Sequence, residues 1–304
     1  MRIKTVYMVF FLALIVCFCQ KAFADSYNLT TLSFPSSTDT FAHGINDKGT
    51  IVGRYAIGSE EHGFIYSEGT YTAFNNPNVT TLNGINNKGD MVGLLTGDNS
   101  FLYKDSSYYA LKYPGASMTI ALDLNDNGIV VGYYKENLTG TVHAFMYENG
   151  TFLQLEFPGF KGTIFATGIN DAGQITGQYW TGTGYASYIR ETNGSYRTIT
   201  VPGITNVLMK DVNDKGQFVG NEDGVNNVVV YSQTAVEIFK GPGSIENVAM
   251  STNDKGQVVG YCMNNLGGRL GFLATPISVP EPATMFLFGV GLMGLAGLRK
   301  KFQN

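Results

Sequence analysis

Six copies of one short phrase, spaced about 40 residues apart, predict an all-β fold: a six-bladed β-propeller of four-stranded repeats, closed by the N-terminal strand. Each copy keeps the skeleton Asn-x-x-Gly-x-x-x-Gly, as in INDKGTIVG from Ile45. The spacings between successive leading asparagines are 40, 39, 45, 43 and 40 residues, the length of a propeller blade. The leading asparagines, predicted to form turns, are Asn46, Asn86, Asn125, Asn170, Asn213 and Asn253.

Each phrase is predicted to be a turn between the first and second strands of a blade. In the first copy the turn is Asn46 to Gly49, because Asn caps turns with its short side chain and Gly accepts a positive φ. The β-branched run 50–55 then forms the second strand. A glycine inside each second strand predicts close backbone approach or a bulge. These glycines are Gly53, Gly93, Gly132, Gly177, Gly220 and Gly260.

The remaining two strands of each blade follow a looser pattern. Third strands are predicted at 62–66, 100–103, 143–147, 228–231 and 271–273, and fourth strands at 71–74, 152–155 and 196–199. A proline follows each fourth strand, where a residue without an N–H ends the ladder before the next blade. These prolines are Pro35, Pro77, Pro114, Pro158, Pro202 and Pro242.

The two ends of the repeat region predict how the ring closes. Residues 27–35 resemble a fourth strand with its proline, but no first three strands precede them. The sixth unit ends near Pro276 without a fourth strand. Strand exchange, with 27–35 completing 248–275, would remove the exposed sheet edges. The alternative, an open β-solenoid, needs polar capping units that the sequence does not contain.

Both termini are predicted to be targeting segments that lie outside the folded domain. Residues 1–24 combine a basic start with an apolar run and a small-x-small cleavage site at Ala22 and Ala24, as in a signal peptide. Residues 25–277 are then the propeller, and Cys262, the only cysteine left after cleavage, is expected to be buried. Residues 278–304 contain an uncharged stretch, 283–298, that predicts a transmembrane helix. A Pro-Glu-Pro motif precedes that stretch and a basic cluster follows it: Pro280, Glu281, Pro282, Arg299, Lys300 and Lys301.

This three-part tail resembles the PEP-CTERM sorting signal of Gram-negative bacteria. The resemblance implies that an exosortase processes the chain, which is held in the inner membrane by its C-terminal helix until then. It also implies a final place on the cell surface or in the extracellular matrix, among exopolysaccharide and biofilm. The alternative is an ordinary C-terminal anchor, which would hold the same domain outside the same membrane.

The repeats resemble a second family. The pairing of His-Ala-Phe at 143–145, and its degenerate form at 62–64, with the turn phrase is similar to the bacterial extracellular HAF-repeat proteins. The resemblance spans about 41–273 and implies a propeller-like repeat architecture without an agreed activity. The fourth and fifth units depart from it, with Ser187-Tyr188 and Val228-Val229 in place of Ala-Phe.

Charge excludes one class of partner. Residues 25–280 hold 14 basic and 23 acidic side chains, a net charge of −9. A surface of this sign repels phosphate backbones, so no nucleic acid is expected to bind. It also repels acidic polysaccharides unless a divalent cation bridges the two.

The sequence contains no zinc, nucleophile-elbow or phosphate-loop motif. His43, His62 and His143 lie inside repeat units, which favours structural roles. No cofactor is expected except calcium, because Asp123, Asn125 and Asn127 match the first half of a calcium loop. That loop lacks its Glu at the twelfth position, where Tyr134 stands. Trp180 is either core packing or a surface platform for a sugar ring.

The position two before each repeat asparagine is predicted to lie near the ring axis. It holds Asp123 and Asp211, two carboxylates that would be close to the channel mouth. Two functions follow. The first is a non-enzymatic surface module that binds exopolysaccharide or surface proteins, or is purely structural. The alternative is a secreted polysaccharide hydrolase or lyase that uses Asp123 and Asp211 as acid and base.

Overall fold

A computed structural model describes residues 27–277 except 98, 138, 243–244 and 265–266, and these residues form six four-stranded antiparallel sheets. The sheets follow one another around a ring, so the fold is the predicted six-bladed β-propeller. The predicted signal peptide, transmembrane helix and sorting tail lie outside the described residues. Among the residues that are described, no helix is long and apolar enough to cross a membrane.

The strands follow the predicted repeat. The chain opens with β1 (Tyr27–Leu32), which belongs to the last blade. Blades 1 to 3 are β2 (Asp39–Ile45), β3 (Ile51–Ile57), β4 (Glu60–Ser67), β5 (Thr70–Ala73); β6 (Val79–Ile85), β7 (Met91–Leu95), β8 (Asn99–Lys104), β9 (Ser107–Leu111); and β10 (Ala116–Leu124), β11 (Val130–Glu136), β12 (Val142–Glu148), β13 (Thr151–Leu155). Blades 4 to 6 are β14 (Ile164–Ile169), β15 (Ile175–Trp180), β16 (Tyr185–Arg190), β17 (Tyr196–Thr198); β18 (Val207–Val212), β19 (Phe218–Glu222), β20 (Val228–Tyr231), β21 (Val236–Phe239); and β22 (Glu246–Thr252), β23 (Val258–Met263), β24 (Arg269–Pro276) with β1.

The ring closes by strand exchange, as predicted. Strand β1 pairs antiparallel with β24, with Tyr27 opposite Pro276 and Leu32 opposite Gly271. The last sheet therefore has the order β1-β24-β23-β22 and contains both ends of the repeat region. An open solenoid is excluded, because the first and last units share a sheet.

The first strand of each blade is the innermost one. Strands β2, β6, β10, β14, β18 and β22 each contact the first strands of both neighbouring blades. Residues near the C-terminal end of these strands therefore face the ring axis. The fourth strands form the outer rim, and four of the five residues of β9 are exposed.

The core lies between blades and depends on small residues in the second strands. A Cβ atom at Gly53 would overlap the carbonyl oxygen of Phe41 in the adjacent strand. The other five strand glycines meet the equivalent carbonyl, so the predicted close backbone approach is confirmed. Against these glycines pack fully buried third-strand aromatic side chains, namely Phe64, Phe101, Phe145, Tyr188 and Phe272.

The third-strand residues of blades 4 and 5 that depart from the repeat are still buried in the core. Tyr188 replaces phenylalanine, and its hydroxyl group donates a hydrogen bond of 3.0 Å to the carbonyl oxygen of Phe165. In blade 5 the smaller Val229 takes this position and is also fully buried. Cys262 is 1% exposed in the core between blades 5 and 6, as predicted.

Candidate functional site at the propeller axis

The repeat asparagines form a closed ring of hydrogen bonds around the axis. The side-chain amide of Asn46 donates to the carbonyl oxygen of Asn86 in the next blade, at 3.1 Å. Every later blade repeats this bond, and Asn253 donates back to Asn46 at 3.0 Å, which joins the last blade to the first. The intermediate bonds run from Asn86 to Asn125, Asn125 to Asn170, Asn170 to Asn213 and Asn213 to Asn253.

The same asparagines also build their own turns. The side-chain oxygen of Asn46 accepts hydrogen bonds from the backbone N–H groups of Lys48 and Thr50, at 3.1 and 3.0 Å. Such a short polar side chain stabilises the turn while its amide remains available to donate. The predicted turn role is therefore accompanied by a cross-blade role that the spacing alone does not reveal.

A second ring lies beside the first and is acidic. Its members are the residues directly after the repeat asparagines: Asp47, Asn87, Asp126, Asp171, Asp214 and Asp254. The backbone N–H of each residue donates to the side-chain oxygen of the next, from 2.6 to 2.9 Å, around the whole circle. We call these six residues the acidic ring. They line an opening of about 70 Å³ together with the repeat asparagines.

Crowding of carboxylates changes their protonation. Partial burial, together with the nearby charges of Asp126 and Asp214, raises the pKa of Asp171 to about 6. Burial and the charges of Asp47 and Asp214 also raise the pKa of Asp254. Within the described residues, no group of three or more His, Cys, Asp or Glu side chains is arranged to hold a metal ion.

A β-bulge in every blade creates a wider cavity next to these rings. In each blade the pairing between the first two strands shifts by one residue, which leaves one first-strand residue without an opposite partner. A bulge redirects side chains, so this residue and the next one both face the axis. The six bulge residues line a cavity of about 400 Å³: His43, Asn83, Leu122, Thr167, Lys210 and Met250.

The two predicted carboxylates lie where the cavity meets the acidic ring. Asp123 and Asp211 line both spaces. The carboxylate of Asp123 accepts a hydrogen bond from the backbone N–H of Ile169 at 2.9 Å. That of Asp211 accepts from the hydroxyl of Ser251 at 2.8 Å and from the N–H of Thr252 at 2.9 Å. Both side chains are therefore held in fixed positions by the neighbouring blade.

These carboxylates bind their protons more tightly than usual. Burial, followed by the charge of Asp211, raises the pKa of Asp123 well above its ordinary value. Burial raises the pKa of Asp211 to about 6, against the lowering effect of its hydrogen bonds. Two carboxyl groups of raised pKa that line one cavity are typical of acid–base sites, although structural networks contain them as well.

Two basic side chains complete the polar lining of the cavity. Burial and the charge of Arg54 lower the pKa of His43 to about 4, so this imidazole is neutral at pH 7. Burial also lowers the pKa of Lys210. In the part of the chain that the structure describes, no hydrogen-bond acceptor or carboxylate pairs with the Lys210 amine.

An aromatic wall leads from the cavity to the surface. Tyr133, Phe165 and Tyr185 line the cavity, with ring centroids 5.0 Å apart between Tyr133 and Phe165 and 5.9 Å between Phe165 and Tyr185. Trp180 contacts Tyr185 edge to face at 5.0 Å and is 41% exposed. Because Trp180 ends β15, it lies at the opposite end of the blade from the asparagine turns.

The residues of the predicted calcium loop point to separate partners. Asn125 donates to the carbonyl of Asn170 and accepts from Ile129, as a member of the asparagine ring. The exposed amide of Asn127 donates to the carbonyl of Asp171 at 3.0 Å. The carboxylate of Asp123 faces the axis. A calcium ion at these three side chains stays a prediction.

The bulge residues were not identified from the sequence, although a signal is present there. In an otherwise regular repeat, the position three before each asparagine changes type in every copy, from His to Asn, Leu, Thr, Lys and Met. Packing positions in the same repeat keep their type. A variable position within a regular scaffold is typical of ligand contacts, since loops and inward-facing residues determine specificity.

The fold and the axial site define a six-bladed β-propeller with a ligand-sized central cavity. Residues 278–301 match the family described as the PEP-CTERM protein-sorting motif. The motif implies an exported protein that exosortase processes, by way of a membrane-anchored intermediate sorted to the cell surface. No curated protein matches the chain.

Several solved structures are similar to this chain. A streptogramin B lyase structure has a TM-score of 0.51 and 9% identity, covering 81% of this chain and 97% of that chain. TolB from Acinetobacter baumannii has a TM-score of 0.47 and 12% identity, and the match covers 71% of this chain and 60% of TolB. The Dos1 propeller has a TM-score of 0.48 and 10% identity, and the match covers 83% of this chain and 96% of the Dos1 chain. At 9% identity, the likeness to the lyase structure concerns the fold alone.

Proposed function

We propose that this chain is a non-enzymatic surface module that binds exopolysaccharide in the extracellular matrix of a Gram-negative bacterium. Its repeats would be of the HAF type, and its sorting signal would deliver it to the matrix through exosortase. The observation that carries the proposal is the aromatic wall from Trp180 to Tyr133, which ends in a polar cavity. Sugar rings present apolar faces that pack on aromatic rings, and their hydroxyl groups need hydrogen-bonding partners.

The shape and chemistry of the axial site favour a ligand of this kind. A cavity of about 400 Å³ is within the range of small-molecule sites, and its lining mixes aromatic residues with amides and hydroxyls. The amide of Gln178 is anchored by a 3.0 Å bond to the carbonyl of Met209, which fixes its orientation at the wall. Anchored polar groups next to a rigid apolar surface give specificity without large rearrangement.

Co-sedimentation tests the proposal. The full chain, kept soluble in detergent, is mixed with insoluble exopolysaccharide from the producing bacterium, and the bound fraction is measured with and without a chelator. We expect retention of the wild type and a loss of at least tenfold in affinity for Trp180→Ala. The matched control is Tyr109→Ala, which removes a 49% exposed aromatic side chain from the outer rim of blade 2. No retention of the wild type would contradict the proposal and redirect the search to protein partners.

The rival function is a polysaccharide hydrolase or lyase that acts from the cavity. The observation that favours it is the pair of cavity-lining carboxyl groups with raised pKa, Asp123 and Asp211, because acid–base pairs of glycoside hydrolases have unequal proton affinities. The same sedimentation, scored for release of soluble sugar, tests it. Release by the wild type that is lost in Asp123→Asn combined with Asp211→Asn, with folding intact, would establish the enzyme instead of the binding module.

A further inference from the structure

The proposed function makes no use of the amine of Lys210. This residue is the bulge residue of blade 5, and its side chain lines the central cavity. Among the described residues, none pairs with its Nζ atom in a salt bridge or hydrogen bond. An ammonium group that is partly removed from water without a counter-ion is costly. An anionic group on a bound ligand would remove that cost.

Other groups around the cavity do not cancel this positive charge fully. His43 is neutral at pH 7, and burial raises the pKa of Asp123 well above its ordinary value. Asp211, with a pKa of about 6, is largely ionised at pH 7, but among the described residues its oxygens accept from Ser251, Thr252 and Val212 and not from Lys210. The hydrogen bonds of Asp211 to Ser251 and Thr252 already satisfy one of its oxygens. The amine of Lys210 therefore remains available as a pairing partner for a ligand.

The space along the axis is divided unequally. The cavity has a volume of about 400 Å³, whereas the space lined by the asparagine and acidic rings has a volume of about 70 Å³, well below that of small-ligand sites. The acidic ring also carries five carboxyl groups, whose negative charge disfavours an anion on that side. We therefore expect a polymer to place its end in the cavity rather than to extend along the whole axis.

We propose that the cavity binds the terminal residue of an acidic polysaccharide, a uronic acid whose carboxylate pairs with the amine of Lys210. The sugar ring lies against Phe165 and Tyr185, and its hydroxyl groups meet Asn83 and Gln178. This inference rests on the proposed function and names the ligand class of the same site. The net charge of −9 over residues 25–280 repels long acidic polymers, so binding confined to a chain end agrees with the electrostatics of the whole domain.

Calorimetric titration of the full chain in detergent tests the inference. The probes are trigalacturonic acid and its fully methyl-esterified form, which keeps the backbone and removes the charge. We expect the wild type to bind the acid at least ten times more tightly than the ester, with a preference that weakens as sodium chloride is added. Galacturonic acid itself is the third probe. If it binds as tightly as trigalacturonic acid, a single uronate residue is sufficient for recognition by the cavity.

Two lysine variants locate the effect. Lys210→Met removes the charge at nearly constant length and should abolish the preference for the acid over the ester. The matched control, Lys240→Met, removes an exposed lysine just after β21 and should keep the preference. Unfolding midpoints of both variants check that the fold is intact. If Lys210→Met does not fold, the salt dependence of wild-type binding still tests whether charge governs the preference.

The outcomes separate this inference from the proposed function. Equal affinities for acid and ester, or a preference that survives in Lys210→Met, would overturn the acidic-ligand inference. If the wild type binds neither probe but is retained on exopolysaccharide, the inference falls and the binding module stands. If retention on exopolysaccharide is also absent, both fall together.

Discussion

At the scale of single residues, one asparagine per blade performs three tasks. In four blades, as at Asn213, its oxygen accepts two backbone N–H groups in its own turn, and in every blade its amide donates to the next blade. Asparagine combines a short reach with a donor and an acceptor on separate atoms, whereas aspartate would lose the donor and place its own oxygen against the carbonyl oxygen of the next blade. This explains why the residue that marks the repeat in the sequence is 3–5% exposed in the structure.

Replacement of Asp171 by asparagine should stabilise the protein at neutral pH. The folded pKa of Asp171 is about 6, above its ordinary value of 3.8, so the ionised form carries a cost that is absent below about pH 4 and complete above about pH 7. The amide introduced by Asp171→Asn has no charge, and its oxygen could still accept the N–H bond of Asp126. Urea unfolding of both proteins should show equal stability at pH 4 and a growing advantage of Asp171→Asn up to pH 7.

The acidic ring supplies an internal precedent for this variant. Asn87 occupies the equivalent position in blade 2, accepts the N–H of Asp47 and donates to its carboxylate at 2.8 Å. Asp105→Asn, in an exposed turn, serves as the control and should change the free energy of unfolding by less than about 0.5 kcal/mol. A pH-independent effect of Asp171→Asn would mean that the folded state does not raise the pKa of Asp171, whether by burial or by the neighbouring carboxylates.

At the scale of elements, the pairing of the first two strands explains both the tight packing and the cavity. The glycine of the second strand lets the first strand approach closely, and the bulge that follows directs two successive residues towards the axis. Neither feature disturbs the outer strands, so the blade keeps its four-stranded form while its inner edge varies. The cavity lining can therefore change without cost to the interblade core.

Gly177→Ala should destabilise blade 4 strongly. A methyl group there would overlap the carbonyl oxygen of Phe165 and the ring of Tyr188, so the strands must separate, at a cost of about 1–3 kcal/mol or more. The control is Gly184→Ala in the same blade, where a methyl group meets nothing within 4 Å. Chemical denaturation measures both, and similar effects of the two substitutions would contradict the packing role.

At the scale of the whole molecule, two sets of contacts close the ring by joining the last blade to the N-terminal part of the chain. On the outside, β1 completes the last sheet by pairing with β24. At the axis, Asn253 and Asp254 connect to Asn46 and Asp47 across 207 residues of sequence. Closure joins the first and last blades, and the outer sheet edges that remain are the short fourth strands of the blades, each of three to six residues.

Leu32→Ala should weaken that closure. Leu32 is 1% exposed and packs with Ala42, Ile45 and Val259, which connects blade 6 to blade 1. Loss of its side chain should lower the free energy of unfolding by about 2–5 kcal/mol. In the same strand, Leu29 is 39% exposed, so Leu29→Ala should cost less than about 0.5 kcal/mol. Equal losses measured by urea unfolding would argue against β1 as the closing strand.

The sequence was sufficient for the architecture because its signals are local and repeated. The turn asparagines, strand glycines and terminal prolines act within a few residues, and six copies predicted the blades and the strand exchange correctly. It also indicated that Asp123 and Asp211 face the axis. The strand glycines indicated close approach or a bulge, but not which first-strand residue is the extra one, because alternation of apolar and polar residues does not report where a strand gains a residue.

By itself, then, the sequence determined the six-bladed ring, its closing strand and the sorting motif at its C-terminal end. Only the tertiary structure decided that six amides and six acidic-ring side chains connect into two circles, and that Lys210 shares a cavity with Asp123 and an aromatic wall ending at Trp180. The physical reason is that these groups come from different blades: successive members of each circle lie 39–45 residues apart, and Lys210 lies 30 residues from Trp180 and 87 from Asp123. They meet only when the ring closes, and the bulge in each blade sets which of them point inward.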